Sequence, residues 1–435
     1  MAQRRQGVPK LEVDASGLLF RGPNLAITWS IIAKFLRLGM ASIMAGSVVV
    51  DRDAVSRTAG QAALLTSVPW PVLGVVGAAT CFTLGMYWDI SWHASIGRDS
   101  FWTPAHMVIY MCGILAGISC GYMILRTTFL PVASDRAASV KVWGFHAPLG
   151  AFVAAWGGIV MLTSAGFDNW WHSAYGLDAK LNSPPHWSLV IGVTGVQLGG
   201  IILLAGAMNR SSAAARKKLE FLFLYLGATI ILLHLILSSH RILEHSAIFY
   251  FAVCGAVPGI MVAMAVASGR RWACTTIAAM YTVFAMANVW IFPLFPATPK
   301  LGPVYQHVTH LIPLDFPLLI IVPAFLWDYA LSKMPEMNRW LMAILLGTLF
   351  LAGLIAVQWP FADFLLSPWS RNWFFGTAYL PYFTQPSSHS ARNEFYPAAA
   401  NPMQFWLLMT AALGAAILTT RIGLACGGWL RKVRR

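Results

Sequence analysis

The chain has 435 residues, of which 58% are hydrophobic and 11% charged, with a mean hydropathy of +0.64 and a formal net charge of +14. A water-soluble domain carries roughly 25% charged residues, so this composition excludes an ordinary soluble enzyme and makes lipid the solvent for most of the chain. The apolar runs are continuous rather than alternating, which argues against a β-barrel, and the excess of cations is better explained by membrane topology than by nucleic acid.

In chain order, residues 1–60 form an N-terminal cytoplasmic segment. Its stretch 25–50 is interrupted by Lys34 and Arg37 and reads as an interfacial amphipathic helix rather than a span. The opening "MAQRRQGVPKLEVDASG" leads into no short apolar core with a small-residue cleavage site, so no cleavable signal is expected. A spanning helix needs about 20 apolar residues. Spans are predicted at about 62–88, 102–126, 142–165, 185–208, 219–238, 246–268, 272–292, 311–330, 339–358 and 404–426. The expected fold class is all-α, a polytopic transmembrane helical bundle of about ten spans. Between the last two spans lies an outer Pro- and aromatic-rich loop, 359–403, expected to fold over the outer mouth as a lid.

These spans sort the loops onto two sides. Most cations fall on one side, including Arg126, Arg136, Lys141, Arg210, Arg216, Lys217, Lys218, Arg270, Arg271, Lys333 and Arg339. Positive loops stay in the cytoplasm, so both termini are expected there, as in a bacterial cytoplasmic membrane. The basic loop 209–218 is expected to set topology or touch anionic lipid. The histidines have the opposite bias: all except His146 fall at or near the outer face. The six cysteines lie in apolar helices without a CxxC pair and read as packing residues, not as a disulfide framework or zinc site.

Two outer passages repeat one pattern. "WDISWHASIGRDSFWTPAH" (Trp88 to His106) contains Asp89, His93, Gly97 and Asp99; "FDNWWHSAYGLDAKLNSPPH" (Phe167 to His186) contains Asp168, His172, Gly176 and Asp178 at the same offsets. An Asp and a His four residues apart share a helix face, and a Gly four residues later suits the left-handed end of that helix. Thr103-Pro104 and Ser183-Pro184 suit the N-cap and first position of the next helix, whose first turn carries His106 or His186. Each hairpin thus gathers one carboxylate and two imidazoles, a donor set for copper, iron or zinc. Capping and headgroup anchoring is the structural alternative for one such cluster, and the repeat at matched offsets weighs against it. The tryptophans around both passages fit an interfacial aromatic belt.

The Asp-x3-His-x12-His spacing of Asp89, His93 and His106, with "RDSFWTPAH" inside it, resembles the C subunit of copper-containing membrane monooxygenases, the particulate methane and ammonia monooxygenases. The family's second motif, Asn-x3-His-x13-His, matches Asp168, His172 and His186 in spacing, with Asp in place of Asn. The resemblance covers residues 61–270 and leaves 271–435 as an additional membrane region, with no counterpart of the family's A subunit or of the soluble segment of its B subunit. It implies one or two copper ions, iron and zinc being less favoured, and O2-dependent oxidation of a small apolar substrate by an oxidoreductase or a subunit of one. Other monooxygenase-type subunits or a second copy of the chain are implied as partners besides the bilayer. Asp99 and Asp178 would then orient imidazole N–H groups, with Arg98 beside Asp99. A membrane copper-binding or acquisition protein without turnover is the alternative, and a cation transporter ranks last because few charges fall inside the spans.

Further polar residues are His234, His240, Glu244 and His245 between spans five and six, read as a second shell or additional site, with His240 and Glu244 on one face if that turn is helical. His307 and His310 in "YQHVTH" precede Asp315 and are weaker metal candidates. Asp328 is expected to pair with Lys333, His146 to be structural, and His389 to be solvent-exposed. No catalytic residue is assigned from the sequence.

Overall fold

The computed structural model describes residues 64–97, 101–130, 133–176, 183–239, 244–300, 308–333, 337–376 and 402–435. The principal helices among them are α1 (Trp70–Ser95), α2 (Pro104–Phe129), α3 (Leu149–Tyr175), α4 (Pro184–Met208), α5 (Ala213–Ser239), α6 (Ala247–Cys254), α7 (Val257–Ser268), α8 (Ala273–Ile291), α9 (Ile321–Lys333), α10 (Arg339–Leu366) and α11 (Pro402–Leu430). Nine helical segments among the described residues are long and apolar enough to cross a membrane, with α6 and α7 counted as one. Proline starts several of them: Pro71 lies in the first turn of α1, Pro104 opens α2 and Pro184–Pro185 open α4, where a missing N–H costs nothing.

Glycine sets how closely the first four helices pack. α1 and α2 form one antiparallel hairpin, α3 and α4 a second, and α2 lies against α3. A Cβ on Gly157 would meet the backbone nitrogen of Val196, and one on Gly199 would meet the backbone nitrogen of Ala154. α3 and α4 therefore touch backbone to backbone, a small-residue packing mode that suits helices in lipid. Gly113 and Gly158 do the same between the hairpins, where a Cβ on Gly158 would lie 3.0 Å from the Gly113 carbonyl oxygen. In the rest of the chain α11 packs on α6, α7 and α10, and α9 packs between α8 and α10. One apolar core runs through both parts, with Phe82, Met161, Phe223, Tyr250, Trp327 and Phe350 fully buried in it. Outward faces carry Ile118, Ile159, Leu341 and Leu418, all exposed, as lipid solvation requires.

The structure moves several predicted boundaries. Residues 140–147 are not the start of a span: Val140–Val142 (β1) pairs antiparallel with Phe145–Ala147 (β2) through a turn at Trp143 (φ 48°) and Gly144 (φ 90°). Two positive φ values are what a two-residue hairpin turn demands. The sixth span is interrupted at Gly255–Ala256, ahead of Pro258. The ninth span continues through Pro360 to Leu366, so the outer loop starts later than predicted. Its described portion folds over the neighbouring helices, with Trp290 donating to the Phe374 carbonyl at 3.0 Å and Phe316 packed against Phe375. Residues 377–401, with His389, and the stretch 25–50 lie outside the described residues.

The largest departure is the eighth span. Residues 311–320 are not helical, and helix begins only at Ile321. Pro313 and Pro317 remove two backbone donors and disfavour helix before them. A non-helical backbone at this depth needs partners, and side chains supply them. Ile312 N–H donates to Ser95 Oγ (2.7 Å), while Ser91 Oγ donates to the Ile312 carbonyl (2.6 Å). Leu318 N–H donates to Tyr281 Oη (3.0 Å), and Leu319 N–H to Gln358 Oε1 (2.9 Å). Ser91 and Ser95 lie one turn apart on α1, on the face opposite Asp89 and His93, so α1 serves both the extended segment and the polar cluster.

Candidate metal centre

Asp89 and His93 project from the last turns of α1, and His106 from the first turn of α2. Gly97, at φ 91°, takes the positive φ expected of it, and its N–H closes onto the Trp92 carbonyl at 3.2 Å. Thr103 caps α2 as expected, accepting from His106 N–H at 3.2 Å. These two devices turn the chain so that His106 Nε2 lies 3.0 Å and His93 Nε2 3.5 Å from Asp89 Oδ1. One ligand atom from each residue lies within 4.8 Å of the other two. A first-row ion with donors at about 2.0–2.1 Å separates them by roughly 3.3 Å, close to the two Asp–His distances.

The protonation pattern at His106 sharpens this fit. Its Nδ1 lies 2.6 Å from the Phe101 carbonyl oxygen. A carbonyl only accepts, so Nδ1 carries the proton and, in the neutral ring, Nε2 turns a lone pair toward Asp89 Oδ1. That oxygen is buried and has no directed hydrogen bond among the described residues. Two lone pairs 3.0 Å apart repel unless a proton or a cation lies between them. A carbonyl behind the ring is also the usual way of fixing the tautomer of a metal-binding imidazole.

The second cluster repeats the design with looser spacing. Asp168 and His172 come from the end of α3, and His186 from the start of α4. His172 Nε2 lies 3.6 Å from Asp168 Oδ2, and His186 Nε2 4.0 Å from Asp168 Oδ1. Gly176 closes α3 at φ 86°. Ser183 departs from the capping role expected of it: its hydroxyl makes no cap and instead bonds His186 Nδ1 at 2.9 Å. Asp168 lies within Coulombic reach of His106 and Tyr110, so the two clusters share one electrostatic neighbourhood.

Phe101 and Tyr110 were not singled out from the sequence, and Ser183 was read there only as a helix cap. Tyr110 lies one turn beyond His106, with its ring stacked on Phe101 at 5.6 Å, and its i+4 spacing was a usable signal. The Phe101 carbonyl carries no side-chain signal at all. Arg98, Asp99, Asp178, His240 and His307 lie outside the described residues.

The remaining candidates divide among separate places. Glu244 lies in a turn before α6 rather than in a helix and accepts from Gln358 Nε2 at 2.7 Å. His245 Nε2 is 3.4 Å from Asp363 Oδ1, with its ring against Trp359. His234 Nε2 donates to the Ala252 carbonyl at 2.9 Å. His310 pairs with Thr309 Oγ1 at 2.8 Å and sits in a bridge to Pro296. Asp315 lies on the extended segment. Asp328 does not pair with Lys333. It accepts from Cys274 N (3.1 Å), Thr275 N (2.7 Å) and Thr275 Oγ1 (2.7 Å), because the open amides and dipole at the start of α8 bind a carboxylate well. His146 is tied by its backbone to Thr128 at 2.9 Å, and burial, helped by Arg136 and Lys141, holds its imidazole below the ordinary value. The described cysteines are free thiols.

Comparison with known proteins returns no match: no family model, no curated protein and no solved structure matches the chain.

Proposed function

We propose that this chain is a copper-binding integral membrane protein that takes part in the O2-dependent oxidation of a small apolar substrate. The observation that carries the reading is the Asp89–His93–His106 group, whose His106 Nε2 and Asp89 Oδ1 face each other at 3.0 Å with the proton of the ring committed to Phe101. The repeat of the same donor set at Asp168, His172 and His186 supports it, as does the resemblance of both motifs to the monooxygenase C subunit. Imidazole and carboxylate donors suit several first-row ions, and the resemblance selects copper over iron and zinc.

On this reading Asp89 and Asp168 balance the charge of one or two ions, and the four histidines donate as neutral rings. Phe101 and Ser183 hold two of those rings in place. Bound copper would supply one-electron redox chemistry toward O2. Exposed apolar faces on α2 and α3 would give a lipophilic molecule a path from the bilayer. The clusters face the periplasm or cell exterior, both termini face the cytoplasm, and monooxygenase-type subunits or a second copy complete the assembly.

Metal analysis with paramagnetic resonance on protein held in lipid nanodiscs tests the proposal. Copper is expected in the wild type, partial loss in His93→Ala and in His172→Ala, and complete loss in the double variant, with helix content unchanged by circular dichroism. Full metal content in the double variant sinks the ligand assignment. Copper that binds without substrate-dependent O2 consumption would leave the second reading, a copper-binding or acquisition protein without turnover.

A further inference from the structure

At the end of the bundle away from both clusters, the ends of α7, α8, α9, α10 and α11 surround a cavity of about 790 Å³. Arg270, Arg271, Arg339, Arg431 and Lys432 line it, together with one acid, Asp328. Both oxygens of Asp328 are already engaged at the start of α8, by Cys274 and Thr275. Among the described residues none of the five cations has a carboxylate partner within ion-pair distance. Five like charges around one space repel each other, and an anion relieves that repulsion.

The walls decide which anion. Val266, Leu331, Met342 and Leu424 form an apolar side of the same cavity. Two indoles flank it: Trp272 lies under Arg271 (5.5 Å), and Trp340 follows Arg339 and lies under Arg421 (5.1 Å). Both are exposed, at 39% and 53%. Indoles gather at the headgroup layer, so the cavity lies at the depth where lipid phosphates are found. Its volume is many times that of an inorganic phosphate, and its apolar side suits an acyl chain. We propose that this cavity binds an anionic phospholipid, the phosphodiester held by Arg270, Arg271, Arg339, Arg431 and Lys432 and the upper acyl chain lying on the apolar wall. Guanidinium groups match phosphate oxygens in paired hydrogen bonds, and cationic pockets between spanning helices are suited to acidic headgroups. The site is independent of the proposed copper chemistry.

Native mass spectrometry of the full chain after incubation with phosphatidylglycerol or phosphatidylcholine of matched acyl chains reads this directly. Phosphatidylglycerol is expected to stay bound and phosphatidylcholine to be lost. The triple variant Arg270→Gln/Arg271→Gln/Arg431→Gln is expected to weaken retention by about fivefold per cation removed, and Arg434→Gln/Arg435→Gln, outside the lining, to leave it intact. Should the triple variant fail to fold, Arg270→Gln/Arg271→Gln, two exposed side chains beyond the end of α7, carries the same expectation at about 25-fold. Equal retention of the two lipids, or unchanged phosphatidylglycerol binding in the variants, overturns the proposal. So does cation-dependent binding of inorganic phosphate without lipid retention, which would assign the cavity to a free anion.

Discussion

Glu244 shows what one residue costs when a turn buries it. It is 1% exposed and accepts from Gln358, which in turn accepts from Leu319 on the extended segment. Burial pushes its carboxyl up to about 8; the Gln358 hydrogen bond opposes the rise, and the Asp315 charge adds to it. A value raised in the folded state means the folded protein binds the proton more tightly than the unfolded chain. The resulting stabilisation is fully present below the unfolded value of 4.5 and is lost as pH rises through 8. Thermal unfolding in detergent is therefore expected to show a midpoint that falls from about pH 5 to about pH 9. Glu244→Gln, which cannot ionise, should lose less over that range. Parallel pH profiles for the two proteins would remove Glu244 from this role.

At the scale of the element, the cluster geometry depends on helix contacts that only small residues allow. Asp168 and His172 reach His186 because α3 and α4 touch along Gly150, Gly157, Gly192 and Gly199. Gly157→Leu forces these backbones apart. An overpacked core site costs about 1–3 kcal/mol, so a lower thermal midpoint is expected. On the proposed function, metal binding at the Asp168 cluster should fall while binding at the Asp89 cluster, built on α1 and α2, is kept. An unchanged midpoint would mean that the helices tolerate a wider spacing. The extended segment 311–320 illustrates the same dependence from the other direction, since Ser95, Tyr281 and Gln358 on three different helices replace the hydrogen bonds that helix would have supplied.

Across the whole molecule, the chain path separates two chemistries. The Asp–His clusters stand at one end of the spanning helices, and the cationic cavity and the C-terminal end of α11 stand at the other. On the proposed topology, the Lys and Arg bias of the loops puts the cationic end in the cytoplasm. In a background with the cysteines replaced by alanine, Trp102→Cys is expected to react with a membrane-impermeant maleimide in sealed cells. Arg435→Cys should react only in inverted vesicles. Labelling of both positions from one side would refute the topology.

The sequence by itself determined the helical class of fold, nine of the apolar spans to within several residues, and the grouping of an Asp with two His at each of two hairpins. These rest on local signals: composition, continuous apolar length, an i,i+4 pair on one helix face, and a glycine or proline at a turn. Asp89 and His93 were legible because four residues of helix bring them together whatever else the chain does. The tertiary structure decided the rest. It committed the His106 proton to Phe101, drew the Ser183 hydroxyl to His186 rather than to a helix cap, sent Asp328 to α8, and unwound an apolar run that reads as a span. In each case the partner is a carbonyl, a hydroxyl or an open amide set by the packed backbone, and such groups acquire a preference only when packing removes water and leaves one another as their sole partners.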